Sequence, residues 1–110
     1  MRNLRTLDEV TEEYFRDHSD EIDDYLMEVF QDFAKDNDTG ALLASLRILA
    51  RVRGIGNMAT HIGMTRQGIQ KALSDDGNPR LRNITSIVKA MGYCLVPQKL
   101  PPSPEAAQQG

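Results

Sequence analysis

Apolar residues recur every three or four positions along much of this chain, and the pattern comes in two blocks. In the first, Ile22, Tyr25, Leu26, Val29, Phe30 and Phe33 mark one face of a helix. Ser19 or Asp20 can cap its start, and Glu21 and Asp23 fall in the first turn, where carboxylates suit the helix dipole. Val10, Tyr14 and Phe15 mark a shorter helical turn before it. In the second block, Asp38 or Thr39 caps a helix through LLASLRILARVR, whose buried stripe is Leu42, Leu43, Leu46, Leu49 and Ala50. Gly54 and Gly56 end that helix. Asn57 can cap a short helix MATHI, Gly63 supplies a left-handed turn, and Thr65 can cap RQGIQKAL. Asn83 can cap ITSIVKAM, which Gly92 closes. The apolar YCLV that follows predicts a short strand stopping at Pro97. Four of the five prolines lie in residues 97–110, which read as a mobile tail. The fold class expected is all-α: an acidic helical segment over 1–36, a compact helix-turn-helix domain over 37–96, and a flexible tail.

The pair MATHI and RQGIQKAL carries the most informative spacing. Ala59 lies four residues before Gly63 and Ile69 six after it, as in a helix-turn-helix. A small residue lets the helices cross closely, the glycine makes the turn, and a branched apolar side chain locks the second helix onto the first. Met58, Ile62, Met64 and Ala72 fill the remaining inward positions. Thr65, Arg66, Gln67, Gln70 and Lys71 are left for the exposed face of the second helix, with Ser74 at its end. Arginine and lysine can donate to guanine in the major groove, and glutamine can pair with adenine through two bonds. A recognition helix meets bases with its N-terminal half, which is where these residues stand. Gly68, at a cost of about 1 kcal/mol relative to alanine inside a helix, admits two readings. It permits close approach of backbone to DNA, or it is a neutral replacement.

Composition and charge sharpen this picture. The 110 residues suit one domain with a modest core. No run of eighteen apolar residues occurs, and the N-terminus lacks the pattern of a signal peptide, so no membrane is expected and the expected compartment is a reducing cytoplasm. One cysteine, Cys94, excludes an internal disulfide and any multi-cysteine zinc site, and its apolar setting predicts a small core residue. The net charge of −3 hides an asymmetry. Residues 1–42 hold four Arg and Lys against thirteen Asp and Glu, a balance of −9, whereas residues 43–96 hold eight against two, a balance of +6. Two different partners, or mutual attraction of the two parts, would account for this. No catalytic Ser/His/Asp set, phosphate-cradling glycine loop or metal cluster stands out. No enzyme, cofactor or small-molecule ligand is therefore expected. His18 reads as an exposed bystander and His61 as exposed or half-packed. Phosphate contacts are expected from Arg53, Asn57, Ser74, Asn78, Arg80, Arg82 and Asn83, with Arg51 a further candidate that salt bridges to the acidic segment could occupy instead.

The run from Leu46 to Leu95, and above all KALSDDGNPRLRNI, resembles the addiction-module antidote proteins, HigA-type antitoxins with a Cro/repressor-like (Xre) helix-turn-helix. The family tends to show K-A-L-S-x-x-G-N-P followed by a helix and an A-[LM]-G ending, and EEYFRDHSDEIDDYLMEVF looks like its acidic leader. The second helix departs from the family's frequent R-E-S-L-Y, reading Arg66-Gln67-Gly68-Ile69-Gln70 here, which leaves the operator sequence open. The resemblance implies an antitoxin that binds a small basic RelE/ParE-like ribonuclease toxin and represses its own operon as a dimer on double-stranded operator DNA. Tyr14, Phe15, Ile22, Tyr25, Leu26, Val29 and Phe30 are the candidate toxin contacts, with packing on the domain as their alternative. Ile84, Ile87, Val88, Met91 and YCLV form a candidate dimer face, with domain core as the alternative. Deletion of residues 1–36 is expected to spare DNA binding. The other functional reading is a stand-alone phage-like repressor without a toxin.

Overall fold

The computed structural model describes residues 6–100 and residue 102. These residues form an all-α fold of six helices: α1 (Leu7–Asp17), α2 (Ile22–Asp36), α3 (Thr39–Arg53), α4 (Ile55–Ile62), α5 (Arg66–Ala72) and α6 (Leu81–Ala90), with a 3-10 turn, Ser19–Glu21, between α1 and α2. Thr6 starts α1 with a capping box: its hydroxyl accepts from the Glu9 amide at 3.0 Å, and the Glu9 carboxylate accepts from the Thr6 amide at 3.3 Å. Asp38, rather than Thr39, caps α3 by accepting from the Ala41 amide at 3.1 Å.

Three other caps fall elsewhere than the sequence pattern suggests, each for a backbone reason. Neither Ser19 nor Asp20 caps α2, because the 3-10 turn feeds straight into it. The Glu21 amide bonds the His18 carbonyl and the Ile22 amide bonds that of Ser19, so a neighbouring turn supplies the acceptors. Gly54 alone, at φ +96°, breaks the chain between α3 and α4. Its carbonyl already accepts from Met58, so Gly56 and Asn57 lie inside α4. Arg80, extended after Pro79, precedes α6, and Asn83 sits in its first turn with its amide bonded to the Arg80 carbonyl.

Helix α3 is the centre of the molecule. Leu42, Leu43, Leu46, Ile48, Leu49 and Ala50 are all buried, which covers more than one face and exceeds the stripe read from the sequence. Helices α1 and α2 pack on it, α4 adjoins it, and α4 in turn packs on α5 and α6. One cluster joins Phe15, Ile22 and Leu26 of the acidic segment to Leu46, Met58, Ile69, Leu73 and Ile87 of the basic one. Removing residues 1–36 would therefore open this core, which argues against the expectation that the deletion spares DNA binding. Ile87, Val88 and Met91 are buried too, and Ile84 is half-buried, so the α6 part of the candidate dimer face packs inside the chain, while Cys94, Leu95 and Val96 are exposed.

Among the described residues there is no strand. Tyr93–Val96 run on from α6 as irregular chain, since a strand needs a ladder partner and an all-helical neighbourhood offers none. Cys94 is exposed, not a core residue. Residues 97–100 and 102 have no regular structure, and the remainder of the proline-rich segment, like residues 1–5, lies outside the described residues.

Two positions give direct tests of this packing. Leu46 is wholly buried at the crossing of α3 with its neighbours, so Leu46→Ala is expected to lower the unfolding free energy by about 2–5 kcal/mol in a urea titration. A Cβ added at Gly77 would lie 2.5 Å from the Ala72 carbonyl oxygen and 2.9 Å from that of Ser74. Those are backbone atoms that cannot swing aside, so Gly77→Ala should cost about 1–3 kcal/mol by the same titration.

Candidate nucleic-acid interface

Helices α4 and α5 are joined by a tight turn. Gly63 closes α4 at φ +70°, and the Met64 amide bonds back to the Ala59 carbonyl at 3.2 Å. Thr65 follows in extended conformation and caps α5, its hydroxyl accepting from the Gly68 amide at 2.8 Å. Ala59 is buried at 7% exposure and Ile69 completely, so the small and the branched residue take up the inner side of the pair. Met58 is buried as well, while Ile62, Met64 and Ala72 pack half-buried against the core. The turn chemistry and inward positions read from the sequence thus stand in one unit.

Thr65, Arg66, Gln67, Gln70 and Lys71 are all exposed along α5. The stem of Arg66 passes over the start of α4, where a Cβ on Gly56 would lie 3.9 Å from its Cδ. Gly68 is half-buried rather than on the open face. A Cβ there would come within 3.0 Å of the Thr65 hydroxyl, so this glycine leaves room for the cap. That supplies a local reason for Gly68 that neither sequence reading contained.

Beyond α5 the chain folds over the helix end. The Ser74 hydroxyl donates to the Lys71 carbonyl at 2.9 Å, and the Gly77 amide donates to the Ser74 carbonyl at 2.9 Å. Ser74 is thereby half-buried in the turn, whereas Asn78, Arg80 and Arg82 are exposed and Asn83 is half-buried. Asn57 is exposed on α4, and its carbonyl lies 3.0 Å from the His61 Nδ1.

Arg47 was not visible as a site residue, yet it holds this end of the unit in place. From α3 its guanidinium donates to the Leu73 carbonyl at 2.5 Å and meets Asp75 at 3.3 Å, with Asp8 of α1 at 3.8 Å. It thus satisfies a carbonyl at the C-terminal end of α5, where a cation also suits the helix dipole. The one sequence signal is a basic residue set between Leu46 and Ile48 in a leucine-rich helix.

The other arginines of α3 turn toward the acidic helices. Arg51 lies 3.9 Å from Glu12, and Glu12 also pairs with Arg16 at 2.7 Å. Arg53 borders a shallow groove with Phe15, Arg16, Ser19 and Ile22. Arg53 is exposed and lies beside α1 and the start of α2. The Tyr93 hydroxyl donates to the Asp23 carboxylate. Partial burial and then the bond to Asp23 raise the Tyr93 phenol above its ordinary value of 10.0, with Arg53 pulling the other way.

The candidate toxin contacts divide by burial. Phe15, Ile22 and Leu26 are buried at 3–5% exposure and belong to the core, so a partner cannot reach them in this fold. Tyr25, Val29 and Phe30 are half-buried against that core. Tyr14 is 43% exposed. Its hydroxyl donates to Glu21 at 2.7 Å, and that bond raises its phenol above the ordinary 10.0. Among the described residues no helix is long and apolar enough to cross a membrane, and no group of three His, Cys, Asp or Glu is placed to hold a metal ion.

Comparison with known proteins adds the identity of the family. A family model described as "Probable addiction module antidote protein" matches residues 6–98, from the α1 cap to beyond α6. A Haemophilus influenzae protein described as uncharacterized is 33% identical over 72 residues, covering 66% of this chain and 70% of that one. No solved structure matches. Because the family match spans the acidic helices and the α4–α5 unit alike, this chain belongs to the addiction-module antidote proteins.

Proposed function

We propose that the chain is the antitoxin of a two-component module, with a Cro/repressor-like helix-turn-helix formed by α4 and α5. In this reading it silences a small basic RelE/ParE-like ribonuclease toxin by direct binding in the cytoplasm. It also represses its own operon as a dimer on double-stranded DNA. Membership of the antidote family carries the antitoxin half, since an antidote implies a toxin.

The exposed polar face of α5 supports the DNA half. Arg66, Gln67, Gln70 and Lys71 combine charge with the donor and acceptor pairs that base edges require, and Thr65 stands at the helix start. Arg80, Arg82 and Asn78 stand exposed just beyond, as phosphate contacts that fix register without reading sequence. One seven-residue helix reads few bases. Two copies related by a two-fold axis would read half-sites about one helical turn apart. The competing stand-alone repressor shares this DNA chemistry and lacks only the toxin.

Binding to the DNA upstream of its gene tests the DNA half. Arg66→Ala is expected to cost about 1–3 kcal/mol on the operator and to flatten the preference over altered sequences. Arg80→Ala is expected to weaken all sequences about equally and to lower the salt slope by about 1. Unchanged affinity and salt slope in both variants would remove α5 and its following turn from the interface.

A further inference from the structure

The fold leaves one row of large apolar side chains on α1 uncovered. Leu7 is 80% exposed, Val10 49% and Tyr14 43%. Their spacing of three and four residues sets them in one stripe on the helix. Single apolar side chains on a surface are ordinary, but a row of three on a capped helix is a face that nothing covers among the described residues. Of the contacts the sequence pattern offers, Phe15, Ile22 and Leu26 are spent on the core, and Tyr14 belongs to this exposed row.

The stripe is held rigid before any partner arrives. The Thr6–Glu9 capping box fixes the turn that carries Leu7 and Val10. The Tyr14 ring stacks on His18 with centroids 4.1 Å apart and meets Phe15 edge-on at 5.3 Å, while its hydroxyl is tied to Glu21. A tyrosine fixed in this way loses little further freedom on binding. Carboxylates flank the row. Glu13 and Asp17 follow Val10 at three and seven residues on the same side, and Asp20 and Glu21 lie beyond the helix end. The one cation of α1, Arg16, is already engaged by Glu12 at 2.7 Å and by the Arg51 carbonyl at 3.3 Å.

We propose that Leu7, Val10 and Tyr14 form the docking surface for the toxin, a basic protein that lays an apolar cleft over the stripe with Lys or Arg at its rim. The charge decides the occupant. A second copy of this chain would set the acidic α1 against carboxylates like its own, whereas a basic rim is attracted from a distance and complements Glu13, Asp17 and Glu21 at contact. The stripe supplies the apolar centre and an aromatic anchor, and the carboxylates supply the polar rim. This surface rests on the antitoxin reading above and specifies where on the chain that reading acts.

The experiment uses the full chain and, as probe, the purified product of the reading frame beside its gene, with affinity measured by calorimetry at two salt concentrations. Val10→Asp and Tyr14→Ala are each expected to weaken binding about 30-fold, the size of a central contact in an interface. Met27→Asp, at a 60% exposed position on α2, is expected to leave affinity within about 2-fold, and higher salt should weaken the unaltered pair. All three sites are exposed, and unchanged thermal unfolding of each variant confirms that the fold is kept. Tight binding that ignores both α1 changes, or that falls equally with Met27→Asp, overturns the surface and leaves the antitoxin reading standing. No binding by the unaltered chain overturns the antitoxin reading and the surface with it.

Discussion

Burial of α3 is the constraint on which the other helices depend. A helix with Leu42, Leu43, Leu46, Ile48, Leu49 and Ala50 all inaccessible cannot be served by a single neighbour. It needs α1 and α2 to pack on it as well as α4 beside it. The acidic helices are thus structural before they are functional: Phe15, Ile22 and Leu26 contribute to the same cluster as Ile69 and Leu73 of α5. Each such side chain, fully buried, is worth about 1.5–3 kcal/mol of transfer free energy, so a chain without them would leave α3 half-bare. The opposed charges of the two parts meet at the same junction. Glu12 and Asp8 of α1 face Arg51 and Arg47 of α3, which makes attraction within the chain one real use of the asymmetry. These pairs are partly exposed and individually contribute little.

Arg47 gives the arrangement its connection to the candidate DNA face. Its guanidinium sits among α1, the end of α5 and the turn after it, so the position of Asp8 and the position of Leu73 are set by one side chain. Gly77 does the complementary job from outside, letting the turn lie directly on the last carbonyls of α5. The S-x-x-G-N-P segment therefore has a steric reason as well as a turn composition: the fourth residue of that motif has no room for a side chain.

Much of this was legible in the sequence because it is local. The period of apolar residues in α2 and α3, the glycine turn at Gly63, the Thr65 cap and the outward residues of α5 all follow from rules that span a few residues. The errors have equally physical causes. Asn57 and Asn83 are good capping residues that stand one turn inside their helices, because Gly54 and Arg80 break the chain first. YCLV has strand composition but no strand beside it among the described residues. Periodicity reports that a face is apolar without saying whether core or partner covers it. That is why the buried Phe15, Ile22 and Leu26 read as toxin contacts alongside the exposed Tyr14, while Leu7 and Val10 do not stand out as contacts. Arg47 belongs to the same class, since its partners lie 26 and 28 residues away in sequence.

The central claim is that this chain is the antidote to a partner that arrests growth. Co-expression with the neighbouring small reading frame tests it most directly, by scoring colony growth and co-purification together. The neighbour alone is expected to halt growth, and this chain to restore growth while forming a complex that survives purification. A harmless neighbour, or an arrest this chain fails to lift, would contradict the account.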